Sequence, residues 1–103
     1  MIVRFNNNYL EELYKGEQKG KPKYSEDVVR KFKKTINILK NVESSKELRL
    51  FHSLNFEHLE GTNNPRFYSV RVDIHYRLIF ELEDDLVLLT EIVFIDNLTN
   101  HYQ

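Results

Sequence analysis

Two arginines, Arg71 and Arg77, lie in adjacent segments in which apolar and polar residues alternate. Such alternation predicts two β-strands, each buried on one face. The apolar positions are Tyr68, Val70 and Val72 in the first segment and Tyr76, Leu78 and Phe80 in the second. Both sets face one core only if even-numbered positions pair across an odd loop, most simply residues 73–75. That register places Arg71 directly opposite Arg77 on the face away from the core.

Directly opposed like charges destabilise a sheet, so this arginine pair calls for a nearby anion or for carboxylates. The planar guanidinium group matches phosphate oxygens well, which makes the pair a candidate phosphate site. Alternatively, Glu57, Glu60 or Asp73 neutralises both arginines in a buried salt-bridge cluster. Spacing alone leaves both interpretations open.

The composition is that of an ordinary globular domain. The chain has 103 residues, of which 41% are hydrophobic and 30% charged, and we expect a single domain over residues 1–103. It has no cysteine, and its four histidines are not spaced as a ligand pair, so we expect no metal and no cofactor. No stretch approaches the ~20 apolar residues of a membrane span, and the N-terminal segment lacks an apolar signal region. We therefore expect a cytoplasmic protein with no membrane contact.

The net charge of -1 conceals a gradient along the chain. Residues 1–50 contain twelve Lys or Arg and seven acidic residues, whereas residues 81–103 contain six acidic residues and no Lys or Arg. Lys31 and Lys34 belong to the basic run in the first half. Such a run is usually a solvated helix face, and contact with nucleic-acid phosphates is the functional alternative.

The first half of the chain has helical periodicity. The predicted elements are a short strand at residues 1–5, a helix from the capping residues 6–8 to Gly16, a helix over 25–42 with Ser25 as N-cap, and a shorter helix from Ser45 through Leu50. The second half has strand periodicity. After a turn at residues 83–85, the apolar run 86–95 predicts a central strand covered on both sides. Helices followed by a mainly antiparallel sheet define an α+β fold.

Several motifs in a fixed order suggest a family. They are EDVVRKFKKTINILK at 26–40, LNFEHLEG at 54–61, YSVRVDIHYRLIFELEDD at 68–85 and NHYQ at 100–103. The chain closely resembles the HigB branch of the RelE superfamily, the toxins of type II toxin-antitoxin systems. The pattern of that branch runs L-x-F-E-x-L-K-G, then Y-S-I-R-x-N-x-x-Y-R-L-I-F, then a strand and a terminal H-Y. The resemblance covers nearly the whole chain.

The resemblance implies helices packed on a curved, mainly antiparallel sheet. It also implies a metal-independent endoribonuclease that cuts mRNA on the ribosome and is held in check by a cognate helix-turn-helix antitoxin. By the same resemblance, Arg71 and Arg77 match the two strand arginines that hold the scissile phosphate, and Glu57 matches a general base. His101 and Tyr102 match the C-terminal pair associated with proton transfer and substrate positioning.

The sequence departs from the family pattern at two positions. Glu60 replaces the usual lysine, which leaves the neighbouring His58 as a candidate RNA contact, and Asp73 replaces the usual asparagine. Two other functions stay open. The chain could be a protein-binding toxin directed at a target such as gyrase, as in ParE-type relatives, or an inactive relative kept for antitoxin binding. The arginine pair and the terminal His-Tyr favour RNA cleavage, because the gyrase-directed relatives generally lack that set.

Overall fold

A computed structural model describes residues 1–101, and its first half contains one strand and three helices. The elements are β1 (Ile2–Phe5), α1 (Asn8–Lys15), α2 (Glu26–Asn41) and α3 (Ser45–Leu48). The side chains of Asn7 and Ser25 cap α1 and α2 by accepting hydrogen bonds from backbone N–H groups of the first turn. Gly16 ends α1 with φ 74°, a left-handed conformation that glycine adopts readily. The two longer helices are thus confirmed together with their predicted caps.

The third helix is shorter than predicted. It ends at Leu48 instead of Leu50, and Ser44 instead of Ser45 occupies the N-cap position, without a side-chain hydrogen bond. A 3₁₀ turn, His52–Leu54, then leads towards the sheet.

The second half of the chain supplies the remaining strands of a five-stranded sheet. They are β2 (Glu57–His58), β3 (Phe67–Arg71), β4 (Arg77–Asp85) and β5 (Thr90–Thr99). The strand order is β1-β5-β4-β3-β2, with β1 parallel to β5 and all other neighbours antiparallel. This arrangement confirms the predicted α+β fold with a mainly antiparallel sheet.

The helices cover one face of the sheet and form the core with it. Fully buried side chains include Phe32, Ile36 and Leu39 of α2 with Val70, Leu78, Phe80, Val93 and Ile95 of the strands. Burial of one such side chain is worth about 1.5–3 kcal/mol. The predicted register is confirmed, since Val70 pairs with Leu78 and the Val72 N–H donates to the Tyr76 carbonyl at 2.9 Å.

The hairpin between β4 and β5 differs from the prediction. Strand β4 continues through residues 83–85, and the apolar residues 86–89 form an exposed turn instead of the start of a buried strand. The reason is local, because the Asp85 carboxylate accepts hydrogen bonds from the backbone N–H groups of Val87 and Leu88 and thereby fixes the turn. Strand β5 is central, as predicted, but it alternates between buried and partly exposed residues and is therefore fully covered on one face only.

Strand β2 is not predicted by the sequence, because two residues are too few to show periodicity. Among residues 1–101, no helix combines the length and the apolar character that crossing a membrane would require.

Candidate functional site on the arginine-bearing face of the sheet

Arg71 and Arg77 form a cross-strand pair at one end of the sheet. Arg71 is the last residue of β3, Arg77 is the first residue of β4, and the two are register partners. On the neighbouring strand β5, Thr99 pairs with Arg77. On β2, Glu57 pairs with Ser69, which lies two residues before Arg71 in β3. Directly paired residues of antiparallel strands point to the same face of a sheet. We call the face that carries Glu57, Ser69, Arg71 and Arg77 the arginine face.

The two arginines differ in exposure. Arg71 is exposed, whereas Arg77 is only 2% exposed. The Arg77 Nε and Nη2 atoms donate to Ser69 Oγ at 3.0 and 2.8 Å, and Nη2 also donates to the Asn55 carbonyl oxygen at 2.7 Å. A buried guanidinium group needs such hydrogen bonds to offset its desolvation. The sequence predicts the pairing of the arginines but not the burial of one of them.

Ser69 and Asn55 are the residues of this site that sequence reasoning misses. Ser69 carries a recognisable signal, since a small polar residue stands two positions before Arg71 in a strand and therefore on the same face. Asn55 acts through its backbone carbonyl at the end of the 3₁₀ turn, where its φ is 45°. The carbonyl contact itself cannot be recognised from the sequence, although asparagine is a residue type that tolerates this positive φ.

The proposed salt-bridge cluster does not form around Arg71. The Glu57 carboxylate instead accepts a hydrogen bond from the side-chain amide of Asn55 at 2.8 Å. The Asp73 carboxylate accepts two backbone N–H groups of the β3–β4 turn at 2.8 and 2.7 Å. Glu60 is exposed in the loop that follows β2. Within residues 1–101, no carboxylate lies within ion-pair distance of Arg71.

Strand β2 separates Glu57 and His58 onto opposite faces. Glu57 pairs with Ser69 and lies on the arginine face, whereas His58 pairs with Tyr68 on the helix-covered face. The His58 ring meets the Tyr68 ring edge-on at 5.1 Å, and its Nε2 lies 2.6 Å from the Pro65 carbonyl oxygen. The fold therefore brings Glu57, but not His58, to the face that carries the arginines.

The segment that follows β5 begins beside Arg77. His101 follows Thr99, the register partner of Arg77, by two residues, and its N–H donates to Thr99 Oγ1 at 2.9 Å. The His101 side chain is exposed. Tyr102, the other predicted member of the terminal pair, lies outside the described residues.

Beside Arg71, a cleft of about 590 Å³ lies between α2 and the β3–β4 turn. Among the described residues, its charged lining consists of Lys31, Lys34, Arg71, Asp27 and Asp73. Lys31 Nζ lies 3.1 Å from Asp27 Oδ2, and this hydrogen bond lowers the pKa of the Asp27 carboxyl below its ordinary value. Lys34 makes no ion pair within the described chain. The structure thus places both predicted lysines near Arg71, with the charge of Lys31 partly compensated.

One carboxyl group in the sheet is electrostatically unfavourable. Asp96 of β5 sits beside the register shift between Ile79 and Phe80, where burial raises its pKa and the negative charge of Glu81 raises it further. In the part of the chain that the structure describes, no group of three His, Cys, Asp or Glu side chains is arranged to hold a metal ion.

Comparison with known proteins connects this arrangement to one family. The model of a HigB-like toxin, described as the RelE-like toxin of type II toxin-antitoxin system HigB, matches residues 3–96. Toxin HigB-1 of Vibrio cholerae serotype O1 is 34% identical over 92 residues, which cover 87% of this chain and 93% of that protein.

Two solved structures share the fold. A YoeB/ParE toxin from Agrobacterium tumefaciens has a TM-score of 0.59 at 14% identity, with coverage of 99% of this chain and 100% of that chain. The YoeB dimer from Staphylococcus aureus has a TM-score of 0.54 at 23% identity, with coverage of 99% and 98%.

Proposed function

This chain belongs to the HigB-like toxins of type II toxin-antitoxin systems, and from that premise we propose that it is an endoribonuclease that cuts mRNA on the ribosome without a metal ion. The observation that carries the proposal is the pairing of Arg71 with Arg77 on a face that also holds Glu57. Arg71 has an exposed guanidinium with no ion pair among residues 1–101, and it shares a sheet face with a candidate base. Such a group is suited to a phosphodiester.

In the proposed reaction, Glu57 accepts the proton of the ribose 2′-OH, and the 2′-oxygen attacks the adjacent phosphorus. The bond to the 5′-oxygen breaks, and His101 donates a proton to that leaving group. The products are a 2′,3′-cyclic phosphate and a 5′-hydroxyl. Histidine suits this role because its ordinary pKa of ~6.5 allows proton donation near neutral pH.

Arg71 stabilises the extra negative charge on the phosphorane, an electrostatic contribution that is often the largest in such reactions. Arg77 is the buried member of the pair and is positioned by its hydrogen bonds to Ser69 and Asn55. For Arg77 to contact the phosphate directly, its hydrogen bond to the Asn55 carbonyl has to be exchanged for one to the substrate.

We assign the RNA strand on one side of the cut to the cleft beside Arg71. Lys31 and Lys34 line this cleft and supply positive charge for the backbone phosphates. Tyr102 is proposed to stack on a base, as aromatic side chains commonly do with single-stranded RNA. His58 is the least favoured of the proposed RNA contacts, because its ring meets the Tyr68 ring and its Nε2 lies 2.6 Å from the Pro65 carbonyl oxygen.

The proposal extends to the cellular setting. The partner is a cognate antitoxin, which we expect to contain a helix-turn-helix, and the substrate is mRNA in the cytoplasm. The whole chain, residues 1–103, acts as one toxin domain.

The test is translation of a defined mRNA on ribosomes in the presence of the purified chain, followed by mapping of any new 5′ ends relative to the A site. We expect cuts with the wild type and strongly reduced cutting with Arg71→Ala. Arg4→Ala is the matched control, because Arg4 is also an exposed strand arginine but lies in β1, at the far edge of the sheet. The same chain is also expressed in bacteria. If it arrests growth there but produces no mRNA cut in the translation assay, RNA cleavage is refuted and a protein target such as gyrase is favoured.

A further inference from the structure

The turn between β4 and β5 exposes four consecutive apolar residues. Leu86, Val87, Leu88 and Leu89 are 82%, 90%, 58% and 87% exposed. Single exposed apolar residues are common, but a contiguous group usually marks a contact surface. We call residues 86–89 the hairpin tip.

The exposure of the hairpin tip is imposed by an ordered turn. Asp85 Oδ1 accepts the N–H groups of Val87 and Leu88 at 3.0 and 2.8 Å. Leu89 has φ 55°, which is uncommon for a residue with a side chain. The backbone therefore presents these side chains to solvent in a fixed arrangement.

An acidic groove adjoins the hairpin tip. It has a volume of about 360 Å³ and lies between the tip and the segment that joins α2 to α3. The charged residues of the described chain that line it are Glu43, Asp84, Asp85 and Glu91 together with Lys46. Glu91 also fixes the groove wall, because its two carboxylate oxygens accept hydrogen bonds from the N–H and the hydroxyl of Ser45, each at 2.7 Å.

The sign of this charge selects the kind of partner. Carboxylates around an apolar tip repel RNA phosphates and anionic lipid headgroups. They also disfavour contact between the tips of two copies, since that would oppose like charges. A protein segment with apolar and basic side chains is complementary to this surface. Its apolar side chains can pack on the hairpin tip, and its basic side chains can pair with the carboxylates of the groove.

We propose that the hairpin tip and its acidic groove dock a basic, apolar segment of the antitoxin. The inference rests on membership of the toxin family and not on RNA cleavage. Strand β4 has nine residues and separates the tip from Arg77, a distance of about 26 Å at ~3.3 Å per residue. Docking at the tip is therefore spatially separate from the arginine pair.

The test uses the protein encoded by the gene adjacent to that of this chain as the candidate antitoxin, co-expressed and purified with it. A double variant, Leu86→Ser with Val87→Ser, removes apolar surface, and Asp84→Lys reverses one charge of the groove without touching the capping Asp85. The control is Leu50→Ser, because Leu50 is 77% exposed but lies outside this surface. The affinity of each variant for the antitoxin is measured by calorimetry at low and high salt.

We expect each tip or groove variant to weaken antitoxin binding at least about tenfold, the scale of one substantial interface contact, and the control to leave it unchanged. High salt is expected to weaken wild-type binding but to have less effect on Asp84→Lys. Growth arrest by the tip variants alone stays at the wild-type level, whereas co-expressed antitoxin relieves it less than it relieves arrest by the wild type.

Several results would overturn the proposal. Wild-type affinity in all variants, or failure of the adjacent antitoxin to bind the wild-type chain, excludes this docking surface. Loss of self-association without loss of antitoxin binding assigns the tip to a second copy of the chain. These binding results are independent of whether the wild-type chain cuts RNA, so the proposed function can fail while the docking surface stands.

Discussion

At the scale of single residues, the two paired arginines have different physical roles. The hydrogen bonds of Arg77 connect β4 to Ser69 of β3 and to the Asn55 carbonyl, so the side chain contributes to the stability of the fold. Arg71 is exposed and makes no ion pair within residues 1–101. Loss of Arg77 should therefore affect stability, whereas loss of Arg71 should affect function alone.

We predict that Arg77→Ala lowers the free energy of unfolding by about 1.5–3 kcal/mol, the range for hydrogen bonds that involve a charged group. Arg71→Ala should stay within about 0.5 kcal/mol of wild type, as is usual for exposed positions. Urea denaturation followed by circular dichroism measures both. Equal destabilisation by the two substitutions would contradict this difference between a structural Arg77 and a functional Arg71. Arg77→Lys keeps the charge but not the planar guanidinium, so its loss of stability should be smaller than that of Arg77→Ala.

The proposed acid is tested at His101. We predict that His101→Ala slows RNA cleavage ~10²- to 10⁴-fold, the usual contribution of a general acid. His52→Ala is the control, because His52 is also exposed but lies in the 3₁₀ turn. Truncation after Asn100 should be at least as severe, since it also removes Tyr102. If the truncated chain stays folded and cuts RNA at the full rate, the terminal pair has no catalytic role.

Some contacts of the arginine site can be predicted from the sequence and others cannot. Alternation fixes the register, and the register fixes the opposition of Arg71 to Arg77, so this contact is predictable from sequence. The burial of Arg77 is not predictable, because it depends on a backbone carbonyl from Asn55, 22 residues earlier. The placement of His58 away from Glu57 depends on β2, a strand too short to be recognised.

At the scale of elements, local signals determine how well each boundary is predicted. α1 and α2 begin at side chains that accept N–H groups of the first turn, and α1 ends at a left-handed glycine, so their limits can be read from the sequence. The β4–β5 hairpin is misread because residues 86–89 look like a buried strand. The capping of two N–H groups by Asp85 outweighs their hydrophobicity and holds them in the turn.

Strand β5 contains an acidic group that the fold disfavours in its charged form. Burial and the negative charge of Glu81 raise the pKa of Asp96 above its ordinary 3.8. A carboxyl group with a raised folded-state pKa favours folding when protonated. Its contribution is fully present below pH 3.8 and is lost as the pH rises through the folded-state pKa.

We therefore predict that Asp96→Asn is more stable than wild type at neutral pH, and that this advantage disappears in acid below pH 3.8. The amide keeps the size of the side chain but carries no charge. Thermal unfolding across this pH range measures the difference. Glu60→Gln, the corresponding change at an exposed loop position, serves as the control. An Asp96→Asn variant that is less stable at neutral pH would show that the charged carboxylate has a favourable partner.

At the scale of the whole molecule, the net charge of -1 conceals two regions of different charge. The cleft beside Arg71 holds the positive side chains Lys31 and Lys34. The opposite end of β4 carries the acidic groove next to the hairpin tip. A chain with a net charge of -1 can therefore attract RNA at one end and a basic protein segment at the other.

This separation leads to a prediction about salt. If Lys31, Lys34 and Arg71 each contact one phosphate, the logarithm of the RNA association constant should fall with the logarithm of salt concentration with a slope of about -2, at ~0.7 per contact for a single strand. Lys34→Ala should reduce the magnitude of that slope by about 0.7.

The measurement uses a short fluorescent RNA with a 2′-deoxy nucleotide at the cut site, so that binding is observed without cleavage. Lys46→Ala is the matched control, because Lys46 lies in the acidic groove and should not affect the slope. A slope near zero, or an equal change for Lys34→Ala and Lys46→Ala, would show that the RNA does not follow the cleft beside Arg71. In that case RNA positioning would have to come from the ribosome rather than from the positive end of this molecule.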